Sequence, residues 1–206
     1  MRNIVAGQQQ SAPRIRPGRG HARQALLEAA SRRFYADGLA GTGIDAITAE
    51  AGVAKKSLYN NFSSKAELVT AYLNARHEEW MGLYRKRLES AADPKERVMA
   101  VFDAYADHAG LAYERGFRGC GLLNAAAELP AGDSGREVVR RHKEEVEGLL
   151  SAHLGELLPG APMEAASLAR HLAYLLEGSM VRAGLEGNDS CVKDARKMAS
   201  GLIGNL

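Results

Sequence analysis

Between Ile44 and Phe62 the chain reads IDAITAEAGVAKKSLYNNF, and the polar residues of its second half share one chemistry. Lys55, Lys56, Ser57, Tyr59 and Asn60 are cations, hydroxyls and an amide, the groups that meet phosphate oxygens and base edges. Val53 and Leu58 interrupt them at helical spacing, so a buried side would leave Ala54, Lys55, Ser57, Tyr59 and Asn60 facing outward. Gly52 can supply the positive φ needed between two steeply crossing helices, and Ile44 and Ile47 would bury the helix before it. This is the spacing of a helix-turn-helix, whose second helix enters a major groove. A buried helical hairpin also carries a turn glycine, and spacing alone leaves that alternative open.

Other reactive residues form weaker patterns. Cys120 and Cys191 make no CxxC pair, which argues against a zinc site or a disulfide framework. Cys120 lies between two glycines just before a helix, with Arg115 and Arg118 nearby in sequence. That setting can activate a thiol toward electrophiles or oxidants, and an inert buried cysteine is the competing reading. His77-Glu78-Glu79 lacks the second histidine of a zinc protease, and His142-Lys143-Glu144-Glu145 reads as a solvated helix turn. There is no Gly-rich phosphate loop and no nucleophile elbow. No catalytic residue, metal or cofactor is expected. A small helical enzyme and a helical protein-interaction module remain the rival classes.

The elements that must carry these residues are helical throughout. The 206 residues are 46% hydrophobic and 25% charged, enough for a core that folds without staples. No apolar run approaches the roughly 18 residues of a membrane span, and no signal-peptide pattern opens the chain. A cytoplasmic protein with no membrane partner is the expectation. The net charge of +2 conceals an asymmetry: residues 1–65 hold ten Lys/Arg against four acids, net +6, and the remainder is net −4. A basic head on an acidic body points to nucleic acid or an anionic membrane at one end, and a solvated surface with a basic tail is the competing reading.

Residues 1–19 read as a flexible basic arm, in which Arg14, Arg16 and Arg19 either enter a minor groove or are simply disordered. Helices are expected from His21 to Gly38, Ile44–Ala51, Lys55–Asn61, from Ser63 or Ser64 to about Ala91, and from Asp93 to about Ala112. Further helices should follow at Leu122–Leu129, Ser134–Leu158, Pro162–Gly184 and Ser190–Leu202. No period-two stretch is long enough for a strand. The fold class is therefore all-α.

Gly38, Thr42, Ile44, Ile47, Ala51-Gly52-Val53, Leu58-Tyr59, Phe62, Lys65 and Leu68 together resemble the DNA-binding domain of the TetR family of bacterial transcriptional regulators. Gly119-Cys120 through Asn124 to Glu128, and the stretch Leu172–Leu185, look like the regulatory domain of one branch of that family. The resemblance implies a three-helix helix-turn-helix domain at 20–65 and a helical ligand-binding and dimerisation domain at 66–206. It makes Thr42, Tyr59 and Lys65 phosphate contacts. Lys55, Ser57 and Asn60 are then the candidates for base edges, with Lys56 able to do either. Gly43 stands where a capping Thr or Ser is usual, so that cap is either weaker or supplied by Thr42. Thr48, Lys56 and Asn61 also depart from the family's pattern.

The resemblance further implies a homodimer on a palindromic double-stranded DNA operator, most simply a repressor released by a small-molecule effector. Expected interface stripes are Val138, His142, Val146, Leu149, Leu150, His153, Leu154 and Leu157, and Ala165, Leu168, Leu172, Leu175, Leu176 and Ser179, with internal core alone as the competing reading. Expected pocket residues are Phe102, Tyr105, His108, Phe117, Cys120, Asn124, His171 and Tyr174, with core packing as the competing role for each.

Overall fold

The computed structural model describes residues 19–111, 114–204 and 206, without the side chain of Arg19. The arm at 1–18, with Arg14 and Arg16, lies outside the described residues. Residue 19 does not belong to an arm: it opens the first helix. The described residues form nine helices and no strand: α1 (Arg19–Asp37), α2 (Ile44–Glu50), α3 (Lys55–Asn61), α4 (Lys65–Leu88), α5 (Pro94–Ala109), α6 (Gly121–Glu128), α7 (Ser134–Leu157), α8 (Pro162–Glu186) and α9 (Ser190–Gly204).

Local chemistry sets the ends of these helices. Ser64 Oγ accepts the Glu67 N–H at 3.1 Å, while the Glu67 carboxylate accepts the Ser63 N–H at 2.6 Å. Asp93 does the same for α5: it accepts the Glu96 N–H at 2.8 Å, and Pro94 begins the helix without needing an N–H partner. Such reciprocal caps satisfy amides that a helix start leaves orphaned.

The first three helices enclose a small core. Leu26, Ala29, Ala30 and Phe34 of α1 meet Ile47 of α2, Leu58 of α3 and Phe62, all buried. Glu50 locks α2 onto α1 by accepting from Arg32 Nε at 2.7 Å and from Arg33 Nε. Burial pushes the Glu50 carboxyl up, yet the two guanidiniums outweigh it and hold the group below the usual range. α4 then runs unbroken from this head into the body, where it packs with α5, α6 and α7.

The body's core is aromatic and polar at once. Trp80 stacks on Tyr84 with centroids 5.5 Å apart, and Tyr105 and the His142 ring close around it at 5.0 and 5.4 Å. His142 is buried, so its segment of α7 is not the solvated turn that its charged neighbours suggest. Burial drives the His142 and His108 imidazoles down to about 3, which keeps both neutral near pH 7.

The expected interface stripes also belong largely to this core. Val138, Val146, Leu150 and Leu154 of α7, and Ala165, Leu172, Leu176 and Ser179 of α8, are buried within the single chain. The apolar residues left outward are Met163, Tyr174, Val181 and Leu185 of α8 and Met198 and Leu202 of α9. Periodicity found the buried side of each helix, and these exposed residues occupy another.

Candidate nucleic-acid interface

The turn between α2 and α3 is made at Gly52, whose φ of 65° a side chain would disfavour. The Val53 N–H reaches back to the Thr48 carbonyl at 3.1 Å and closes it. Leu58, fully buried, anchors α3 from below. Its opposite side holds Lys55, Lys56, Tyr59 and Asn60 in solvent, with Tyr59 51% exposed. Ser57 is half-buried beside them. A tyrosine left this open spends its ring and hydroxyl on no core, which leaves both for a partner.

Several residues expected at this surface already have partners within the chain. Lys55 Nζ lies 2.8 Å from Asp45 of α2, and that carboxylate raises the lysine's pKa. Lys65 donates to the Leu39 carbonyl at 2.6 Å, which ties the start of α4 to the α1–α2 turn. Thr42 needs a correction: it is 2% exposed, and its hydroxyl donates to the Gly38 carbonyl at 2.7 Å. The hydroxyl braces the turn and presents no donor outward. Nor does it cap α2, whose N-cap is Gly43 with no side-chain bond. Asn61 donates to the Ser57 carbonyl at 2.7 Å and so stiffens α3 from within.

Sequence spacing gave no sign of how firmly the body holds this head. The Glu128 carboxylate, at the end of α6, accepts the Leu39 and Ala40 N–H groups at 2.9 and 2.7 Å. Arg118 donates to the Tyr35 and Ala36 carbonyls at 2.9 and 2.6 Å, capping the C-terminal end of α1. The Tyr35 hydroxyl accepts the Arg118 N–H at 2.6 Å and donates to the Gly119 carbonyl at 3.2 Å. Arg115 pairs with Asp37 beside them. Gly119 in turn lies against Gly184 of α8, where a Cβ on Gly184 would come within 2.7 Å of the Gly119 nitrogen.

The eight residues expected to line a pocket do not come together. Phe102, Tyr105, His108, Phe117 and Cys120 are packed inside the body. Asn124 is exposed and donates to the Arg118 carbonyl at 2.8 Å. His171 and Tyr174 stand in solvent on α8. An aromatic residue type marks a core as readily as a ligand site, which is why type alone gathered residues from both faces. Among the described residues no group of three or more His, Cys, Asp or Glu could hold a metal ion. No described helix is long and apolar enough to cross a membrane.

Comparison with known proteins matches this geometry. Residues 26–72 fit the model of the bacterial regulatory proteins, tetR family. The chain is 37% identical over 89 residues to the HTH-type transcriptional activator FasR of Mycolicibacterium smegmatis, covering 43% of this chain and 41% of that protein. It is 41% identical over 86 residues to the HTH-type transcriptional regulator TtgR of Pseudomonas putida, covering 39% and 41%. The match thus spans about two fifths of these curated relatives. The body finds its likeness in a solved structure. A TetR-family transcriptional regulator from Streptomyces coelicolor superposes with a TM-score of 0.80 at 30% identity, over 91% of this chain and 96% of that one. These relatives are regulators of transcription, not enzymes. With its head matched by the family model and nine tenths of its length superposed on that regulator, this chain belongs to the TetR family of transcriptional regulators.

Proposed function

We propose that the protein is a one-component transcriptional regulator that binds a palindromic double-stranded DNA operator as a homodimer, most simply as a repressor that a small-molecule effector releases. The observation that carries this reading is the division of α3. Leu58 is wholly buried, while Lys55, Lys56, Tyr59 and Asn60 stand open on the other side. Lys56 and Tyr59 are the freest groups for phosphate, and Lys55, Ser57 and Asn60 are aimed at base edges. Lys65 contributes by holding the turn and by any donor left over from Leu39.

One such head covers too few base pairs for tight recognition, so two copies must act together, about one DNA turn apart. The outward apolar residues of α8 and α9 supply the pairing surface, among them Tyr174, Leu185 and Met198. An effector in the body would reach the head through the contacts of Glu128 and Arg118 with α1, provided it binds one arrangement of that joint better than the other. Cys120 fits a sensor poorly, since it is 4% exposed and reagents must reach a thiol to modify it.

The test is to pass fragmented genomic DNA over the purified protein and sequence what is retained. A shared palindromic sequence among the retained fragments is the expected result. Retention without any common sequence would contradict operator recognition.

A further inference from the structure

The row Arg136, Val139, Arg140 and Lys143 recurs on one side of α7 at steps of three and four residues. With Leu123 and Ala126 of α6 and Glu177 of α8 it walls a cleft of about 510 Å³, within the usual range of small-molecule sites, about 300–1,000 Å³. The sequence marks this row only as charged residues on an amphipathic helix. In the fold, Lys143 is drawn inward until its side chain is 13% exposed.

Burial works against the Lys143 ammonium there, and Tyr105, Cys120 and Glu177 outweigh it and keep the group charged, yet its polar contacts are long. Its partners are the Tyr105 hydroxyl at 3.4 Å and the Glu177 carboxylate at 3.9 Å. Both distances exceed the roughly 2.7–2.9 Å of a close charge-assisted hydrogen bond. Burial pushes the Tyr105 hydroxyl up to about 12, so it faces the ammonium as a neutral group. The other carboxylates of the cleft are occupied. Asp133 caps α7 by accepting the Gly135 N–H at 2.7 Å, and Glu137 holds Arg140 with an Nε contact of 2.9 Å. Arg136 donates to the Ala126 carbonyl at 2.7 Å, and among the described residues no carboxylate lies within ion-pair reach of it. Lys143, with its one carboxylate at 3.9 Å, and Arg136, with none in reach, therefore share a cleft whose apolar wall is Leu123, Ala126 and Val139 and whose carboxylates Asp133 and Glu137 are engaged elsewhere. A cation withdrawn from water is stabilised by a close counter-charge, and a ligand can supply it.

We infer that this cleft is the effector site and that it takes a small organic carboxylate, its charge set against Lys143 and its apolar part against Leu123, Ala126 and Val139. The inference rests on the regulatory reading above and adds the chemical class of the ligand. The site also has a route to the head. Ala126 lies two residues before Glu128 on α6, so a molecule packed on Ala126 bears on the helix that holds the α1–α2 turn.

The test is calorimetric titration of the full chain with phenylacetate and octanoate, each beside its uncharged methyl ester. The acids should bind about ten- to a hundredfold more tightly than the esters, the span expected for a hydrogen bond to a charged group. Lys143→Met should erase that preference and Lys143→Arg should keep it. Ala126→Phe, which fills the cleft and leaves the charge in place, should block acids and esters alike. Equal affinity for acid and ester, unchanged acid binding in Lys143→Met or Ala126→Phe, or no binding of either acid at millimolar concentration would overturn the inference. Retention of genomic DNA by the same preparation separates the two readings. DNA retained with both acids ignored sinks only the ligand class. Acids bound through Lys143 with no DNA retained sinks the regulatory reading and leaves the carboxylate site standing.

Discussion

Glu128 and Leu39 are separated by 89 positions, yet the Glu128 carboxylate accepts the Leu39 N–H at 2.9 Å. The bond places the end of a body helix on the turn that leads into the DNA-facing helices. The same carboxylate takes the Ala40 N–H, and it fills the space that a Cβ on Gly38 would need, within 2.7 Å.

Removing that carboxylate should loosen the joint and leave each part folded. Glu128→Ala deletes two charge-assisted bonds at a partly exposed site, worth about 1–2 kcal/mol together. Urea unfolding should show that loss, and hydrogen exchange at residues 38–41 should quicken. Unchanged exchange there would mean that the joint is held by Arg118 and Arg115 alone.

The two sides of α3 should respond to substitution in opposite ways. Tyr59→Ala and Lys56→Ala remove exposed groups, so the thermal midpoint should hold while operator affinity falls by about tenfold or more. Leu58→Ala hollows a fully buried site and should cost about 2–5 kcal/mol of folding stability. A Tyr59→Ala variant that kept full affinity would remove the tyrosine from the interface.

Acid should weaken the fold through its buried histidines. His108 and His142 are held near 3 in the folded chain, against about 6.5 when unfolded. Between those values the unfolded state binds the extra protons, so stability falls as pH drops below about 6.5. The slope is at most about 1.4 kcal/mol per pH unit for each histidine, and the two rings share the same core. Denaturant midpoints at pH 7 and pH 5 check this. Phe in place of His142 should flatten the trend, and an undiminished slope in that variant would place the titration elsewhere.

A charge on the outward face of α8 should separate the copies. Leu185→Glu alters a residue that is 81% exposed and so should leave the monomer fold intact. Sedimentation should then report a single chain, with operator affinity lost along with the dimer. A stable Leu185→Glu dimer would locate the pairing surface away from this stretch of α8.

Much of the frame is written locally. Ser64, Asp93 and Asp133 are caps that bond within three residues, so the starts of α4, α5 and α7 are legible from short stretches. The α2–α3 turn is legible for the same reason, through Gly52 and the alternation of Val53 and Leu58. What was hidden depends on residues far apart. Thr42 belongs to a motif of contact residues, and only the fold turns its hydroxyl toward Gly38. Lys143 stands among charges that suggest solvent, until α5 and α8 close over it with Tyr105 and Glu177. Leucine periodicity on α7 and α8 locates each helix's buried stripe, and that stripe says nothing about Tyr174 or Leu185 on another side.

The basic head as the DNA-facing surface is tested most directly by how binding to a retained operator fragment varies with salt. A dimer whose heads neutralise about 6–10 phosphates should lose about 10³–10⁵ in affinity between about 50 and 200 mM salt. Affinity that stayed level across that range would contradict the basic head as the surface that meets DNA.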